Sequence, residues 1–246
     1  MHQTGRSVLL RSEPNRSVYI PYQASDDSGT RGLALPPAGL LRTDIDARTR
    51  AVKRALDILI ASAGLVILAP VLAVVAIAIL LDSPGPVLFR QTRIGKYGQP
   101  FVMLKFRTMR PERRTQTWGA PSGITERRRV HKSPRDPRIT RVGRFLRRSC
   151  LDEVPQLWHV LRGDMSLVGP RPELPEIVAT YAPWQHRRHA VAPGITGWWQ
   201  VNRDGVRLMH EATELDLYYV EHWSVRLDLL ILVRTLFVAM RGVGAF

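Results

Sequence analysis

Asp152 and Glu153 stand side by side in the stretch LDEVPQLWHVLRGDMSLVGPRPE, and Arg171 follows downstream between Pro170 and Pro172. Adjacent carboxylates are hard oxygen donors of the kind magnesium takes one or two at a time, with substrate phosphates completing the shell. Prolines on both sides of Arg171 fix the local backbone, which lowers the entropy lost when its guanidinium meets a phosphate. The set suits phosphoryl chemistry: Asp152 and Glu153 as catalytic and Mg2+-binding candidates, Arg171 as a phosphate-binding candidate. The same residues also form an ordinary acidic helix start and a Pro-rich turn, and local pattern alone does not separate the two readings.

The element that must carry these acids is a short helix. Val154, Leu157, Trp158 and Leu161 recur at i, i+3, i+4 and i+7, which predicts one apolar face against a core. Asp152 as the cap places Pro155 in the first turn, where its missing N–H costs little, and Gly163 predicts the stop. Free amides and the positive helix end at that cap favour a bound anion. Just upstream, Ile139, Val142, Phe145 and Leu146 mark one apolar face of a preceding helix and leave Arg147 on another, available to phosphate.

The 246 residues are enough for one domain or two small ones, and the formal net charge of +15 with a pI near 11.1 calls for a polyanionic partner. The only cysteine, Cys150, excludes an intrachain disulfide and a Cys-based zinc cluster and fits a reducing compartment. Residues 1–50 mix Arg, Ser, Pro, Asp and Gly without apolar periodicity and read as a mobile extension rather than a signal peptide. From Ile58 to Leu81 the chain is uncharged for about 24 residues, long enough to span a bilayer core that needs about 20.

Two features oppose a simple span. Pro70 follows Ala69 near the middle of the run, and basic residues flank both ends: Arg48, Arg50, Lys53 and Arg54 before, Arg90, Arg93 and Lys96 after. Spanning would leave one basic cluster on the wrong side, whereas a helix broken at Ala69-Pro70 that dips in and returns keeps both in the cytoplasm. An ordinary spanning helix with a tolerated proline is the alternative.

Beyond an Asp82-Ser83-Pro84-Gly85-Pro86 loop, the runs 87–91 and 101–106 flank the Gly95–Gly98 turn and predict a β-hairpin with a longer loop. Residues 110–138 read as a basic loop. Its Arg127–Lys132 run lacks interleaved aromatics for base stacking, so inner-leaflet lipid head groups rather than nucleic acid are the expected neighbours. His186-Arg187-Arg188-His189 reads as polar surface, and the glycines of Pro193-Gly194-Ile195-Thr196-Gly197 permit close backbone approach to a ligand. Trp223–Met240 is apolar but interrupted by Arg226, Asp228 and Arg234, the pattern of an interfacial helix.

The run LDEVPQLWHVLRGDMSLVGPRPE, together with KRALDILI, SPGPVLFRQTRIG, LKFRTM, DPRITRVGRFLRR, PGITGWWQVN and ELDLYYVEHWS, closely resembles the bacterial monotopic phosphoglycosyl transferases, the undecaprenyl-phosphate sugar phosphotransferases. The resemblance covers roughly residues 51–246. It implies an α+β, mostly helical fold: a proline-broken re-entrant membrane helix over 51–82, then a cytosolic catalytic domain over 83–246 with a small β-hairpin and interfacial amphipathic helices. The family commonly has Ser where this chain has Ala69.

The resemblance further implies an aspartyl nucleophile at Asp152 with Glu153 beside it, and substrate-binding roles for Lys105, Arg147, Arg171 and Asp216. Arg203 stands, across a register change, where the family has a phosphate-binding arginine. The implied reaction moves a sugar 1-phosphate from a UDP-sugar to polyprenyl phosphate with Mg2+, at the cytoplasmic face of the bacterial inner membrane. Which sugar is moved and the oligomeric state, homodimer included, stay open. A membrane-anchored adaptor and a retaining glycosyltransferase are the rival classes.

Overall fold

The computed structural model describes residues 46–110, 136–202 and 212–240. Most of the proposed 1–50 extension and the basic 127–132 run fall outside them. The described chain is mostly helical, with two small two-stranded sheets. It opens with α1, Ala47–Asp82, whose start is set by the Asp46 side chain accepting from the Thr49 amide at 2.5 Å. Ala47–Arg50 thus belong to the helix rather than to an extension.

At 36 residues α1 would be about 54 Å long if straight, and it is the one helix among the described residues long and apolar enough to cross a membrane. Pro70 lies inside it rather than between two helices. A proline removes one amide donor and crowds the carbonyl of residue i−4, here Val66, while the rungs on either side survive. The break expected from sequence is a point within one element.

Both ends of α1 are tied to the same body. Near its start, Lys53 Nζ donates to the Val168 carbonyl (3.2 Å) and pairs with Asp228 (2.6 Å), and Arg54 donates to the carbonyls of Val160 and Leu161 at 2.5 and 2.7 Å. Asp57 accepts from Ser166 Oγ at 2.8 Å and the Leu167 amide at 3.1 Å. Near its end, Asp82 accepts from the Val142 amide (2.9 Å), and Arg107 donates to the carbonyls of Ser83 (2.7 Å) and Pro84. Between the ties, Val66, Ile67, Val71, Val74 and Ile77 are exposed. The apolar stretch between the ties is the part of α1 left open to a membrane.

The hairpin forms where the two runs flanking the Gly95–Gly98 turn predict it. β1, Leu88–Ile94, pairs antiparallel with β2, Pro100–Phe106, from Leu88 opposite Phe106 to Ile94 opposite Pro100. Next come α2, Arg141–Arg148, a 3-10 turn at Leu151–Gln156, and α3, Leu157–Arg162, which ends on Gly163 at φ 91°. That Gly163 stop is the one the sequence predicts. Gly143 of α2 lies so close to the Thr108 backbone that any Cβ would collide with its carbonyl, which sets α2 directly on the exit from β2.

Two expected core residues face outward instead: Trp158 is 51% exposed and Phe145 62%. The expected Ile139 and Leu146 are buried and Leu157 and Leu161 pack against the core, while His159 and Val160 of α3 go inside unforeseen. β3, Ser166–Val168, pairs in parallel with β4, Gly194–Thr196. α4, Pro175–Val178, a 3-10 segment at Pro183–Ala190, α5, Trp198–Asn202, α6, Thr213–His222, and α7, Val225–Met240, complete the order.

The main core joins Ala61 of α1 to Val160, Met165, Leu167, Val168, Tyr219 and Ile231. A second cluster packs Val75 and Ile79 of α1 on Phe106 and Leu146. α7 shows the two-faced character expected of the tail, with Ile231 buried and Leu229, Leu230, Val233, Leu236 and Phe237 exposed. Its acid is turned inward: Asp228 accepts from Tyr219 Oη (2.8 Å) and Trp223 Nε1 (3.2 Å) in addition to pairing with Lys53.

Candidate active site

The 3-10 turn that carries both acids begins at Cys150, a non-glycine residue at φ 56°, in the left-handed region. This swings the chain off α2, and the Glu153 amide then donates to the Cys150 carbonyl at 3.2 Å. Asp152 lies within the turn and does not cap it with its side chain, in contrast to the expected role. β2 packs on the turn and brings Lys105 to it, with Lys105 Nζ 5.5 Å from the centre of the Phe89 ring across the hairpin. α2 brings Arg147, whose Nε donates to Thr108 Oγ1 at 3.0 Å. Arg171 reaches in from the turn after β3 and grips Glu153 with two nitrogens, at 2.5 and 3.3 Å.

Five of the sequence-predicted residues therefore meet: Asp152, Glu153, Lys105, Arg147 and Arg171. The two acids are in unequal states. Burial would push Glu153 up, but the charge and hydrogen bonds of Arg171 outweigh it and hold its carboxyl below the usual range. Burial, and then the neighbouring Glu153, raise Asp152 to about 6 against the pull of Lys105, Arg147 and Arg171. Asp152 makes no side-chain hydrogen bond to any described residue, whereas both oxygens of Glu153 are engaged. Lys105 is pushed down by its own burial, with Asp152 and Glu153 opposing. Three cations against two carboxylates leave an excess of positive charge beside one carboxylate that the protein does not use.

Arg171 is positioned almost residue by residue. The Gly169 amide donates to Thr196 O and the Gly194 amide to Pro170 O, both at 2.9 Å, and the Ile94 amide donates to Glu173 O at 2.9 Å. Gly169, Gly194 and Gly197 are packed backbone to backbone, so the close approach those glycines permit is to the chain itself rather than to a ligand. Arg188 closes the set by donating to the Arg171 carbonyl at 2.8 Å and to Tyr181 Oη. Sequence reasoning missed Arg188, since its partners lie at other places in the chain.

Asp216 is not brought to the Asp152–Glu153 pair. It sits in α6, fully buried, in an ion pair with Arg188 at 2.6 Å. Burial pushes its carboxyl up to about 6 against the pull of Arg188. Burial works against the Arg188 charge as well, but Asp216 and Tyr181 outweigh it and hold that guanidinium protonated. Ala69 and Pro70 lie in the middle of α1. Arg203 lies outside the described residues.

The expected polar surface at 186–189 is interior: His186, Arg188 and His189 are all buried, and only Arg187 reaches outward to Glu221. Tyr181 stacks on His189 at 6.1 Å between ring centres and meets His186 edge-on at 5.6 Å. Burial, then Arg188 and His186, push His189 well below the ordinary imidazole value. The unfolded chain therefore binds a proton below about pH 6.5 that the folded chain refuses, and stability falls as pH drops through that value. Between pH 7.5 and 5.5 the wild type should lose about 1 kcal/mol that His189→Phe does not lose, read as the difference between their melting temperatures across that range.

The bacterial sugar transferase family matches residues 48–242. The UDP-glucose:undecaprenyl-phosphate glucose-1-phosphate transferase of Escherichia coli is 40% identical over 217 residues, 82% of this chain and 43% of that protein. The protein of the same description from Caulobacter vibrioides is 42% identical over 215 residues, 84% of this chain and 75% of its own length. The UDP-N-acetylgalactosamine-undecaprenyl-phosphate N-acetylgalactosaminephosphotransferase of Aeromonas hydrophila is 38% identical over 203 residues, 79% and 45% respectively. The chain thus spans less than half the length of two of these relatives. With the family match running from the start of α1 to the end of α7 and taking in every element of the site, this chain belongs to the bacterial sugar transferase family.

Proposed function

We propose that this protein transfers a sugar 1-phosphate from a UDP-sugar to polyprenyl phosphate, with Asp152 as the nucleophile. The observation that carries the reading is the contrast within the acid pair: Glu153 is held by Arg171, while Asp152 keeps both oxygens free of described residues amid three cations. In the first step an Asp152 oxygen attacks the sugar-proximal phosphorus. The bond from that phosphorus to the bridging oxygen breaks, and UMP leaves with the electron pair. In the second step an oxygen of the lipid phosphate attacks the same phosphorus, and the bond to Asp152 breaks, restoring the carboxylate. Lys105, Arg147 and Arg171 offset the charge gathering on the phosphate oxygens and on the departing UMP.

The donor set suits Mg2+. Asp152 and Glu153 are adjacent hard oxygen donors, and a carboxylate oxygen that accepts from Arg171 keeps a second lone pair. Among the described residues no group of three or more His, Cys, Asp or Glu could hold a metal, so substrate phosphates and water would complete the shell, as is usual for this ion. When bound, the cation supplies neutralising charge between an anionic nucleophile and an anionic diphosphate.

The exposed apolar faces of α1 and α7 support a site held at the head-group plane, where a soluble nucleotide sugar and a lipid phosphate can both arrive. The basic flanks of α1 support the cytoplasmic face of the inner membrane. The test is a panel of UDP-sugars offered with polyprenyl phosphate to the full chain in membranes. UMP release with at least one sugar, halted by a chelator and restored by Mg2+, is expected; UDP release, or none with any sugar, would overturn the reading.

A further inference from the structure

His159 is a buried side chain that the transfer described above does not use. It is 3% exposed on α3, and its ring crosses to the outer edge of β2. Nε2 lies 3.2 Å from the Leu104 amide nitrogen, Nδ1 lies 3.1 Å from Asp164 Oδ2, and the ring meets Phe101 edge-on at 5.5 Å between centres. A backbone amide can only donate, so Nε2 is the acceptor. A neutral imidazole then carries its proton on Nδ1, facing a carboxylate that accepts it. One tautomer satisfies both neighbours. Asp164 is held in turn by Arg162 Nε at 3.3 Å.

The placement of the two tied elements gives this contact its meaning. Among the described residues β1 and β2 form a sheet of two strands with no third strand on the outer edge of β2, and it is His159 that receives the Leu104 amide there. Leu104 immediately precedes Lys105. α3 directly continues the 3-10 turn that carries Asp152 and Glu153. One imidazole therefore bridges the strand bearing the lysine and the segment bearing the acids.

We infer that His159 is a positioning residue that fixes the separation of Lys105 from Asp152 by fastening β2 to α3. The inference rests on the transfer proposed above, in which Lys105 offsets phosphate charge beside the nucleophile. A tether of this kind affects turnover through the lysine alone, since a displacement of about 1 Å in a catalytic group costs up to about 100-fold in rate. Side-chain length separates the two contacts: glutamine carries its polar atoms at the reach of Nε2, and asparagine at the reach of Nδ1.

The experiment compares UMP release by His159→Leu, His159→Gln and His159→Asn, each with and without Lys105→Ala. Melting temperature and amide exchange of the 101–106 peptide are followed in parallel. The Leu variant is expected to lose about 10- to 100-fold in kcat with little change in KM for the UDP-sugar. Gln recovers most of that loss and slows exchange at Leu104, while Asn does neither. In the Lys105→Ala background the Leu substitution should cost less than about threefold, because effects that act through one residue do not add. Equal losses in both backgrounds, rescue by Asn as good as by Gln, or an unimpaired Leu variant would overturn the inference. If the Leu variant fails to fold, the Gln and Asn pair decides the matter by the same criteria. Absence of UMP release from the wild type would overturn the proposed function instead, and amide exchange at Leu104 would still decide whether the tether exists.

Discussion

Asp152→Asn should reduce UMP release by roughly 10³-fold or more, because it removes the oxygen anion that attacks phosphorus and keeps the shape of the side chain. The fold should not suffer. Asp152 makes no side-chain hydrogen bond to a described residue, and burial with a neighbouring acid already disfavours its charge, so a neutral isostere relieves repulsion at Glu153. Melting temperature is accordingly expected to hold or rise while activity disappears. A second readout uses a UDP-sugar labelled on the sugar-proximal phosphate and offered without lipid acceptor. The wild type should retain label on the protein and the variant should not. Full turnover by Asp152→Asn would remove Asp152 from its role, and label retained on the variant would move the nucleophile elsewhere.

Asp216→Ala is expected to destabilise the protein by about 3–5 kcal/mol, since it leaves the Arg188 guanidinium charged and unpaired in the interior. The pair itself need not be stabilising. Replacing both partners with apolar residues, Asp216→Leu with Arg188→Met, should recover much of that stability, because neither charge then needs solvation. Activity should not return with it. The double variant lacks the donor at the Arg171 carbonyl, and the turn that aims Arg171 at Glu153 loses the fastening made at Arg171 itself. Thermal unfolding and UMP release measured on the same preparations separate the two effects. If stability and turnover recover together, the pair is a packing element only.

The parts of this molecule that local chemistry determines were legible in the chain. The hairpin follows from two apolar runs flanking Gly95–Gly98, the stop at Gly163 from glycine's access to positive φ, and the grouping of Asp152, Glu153, Arg147 and Arg171 from residue types that suit phosphate, whereas Lys105 was picked out by the family resemblance alone. Trp158 was misplaced for a geometric reason. Leu151–Gln156 is a 3-10 turn, advancing about 20° more per residue than an α-helix. Between Val154 and Leu157 the phase therefore shifts by about 60°, roughly a sixth of a revolution. A stripe counted at 3.6 residues per turn from Val154 is rotated by that much, which moves Trp158 toward the flank while Val160 and His159 go inside.

Long-range pairing hid the rest. Arg188 finds Asp216 and the Arg171 carbonyl, and Gly194 finds Gly169, through contacts with no local signature. His186-Arg187-Arg188-His189 consequently looked like solvated surface. Without Tyr181 and Asp216 around it, such a run has no reason to be buried.

The carbonyl of Val168 accepts from two directions, from Lys53 Nζ of α1 and from Tyr219 Oη of α6 at 3.0 Å, and the next residue is the glycine that begins the Arg171 turn. The apolar helix is therefore not a detachable anchor. A fragment trimmed to start after Asp82 would lose Ala61, Val75 and Ile79 from its two main cores. It would also strand Asp228 without its lysine and leave the Ser166 hydroxyl and Leu167 amide without their carboxylate. Solubility engineering has to work on the outward-facing residues of α1, such as Val66, Ile67 and Val74, and keep the helix itself in place.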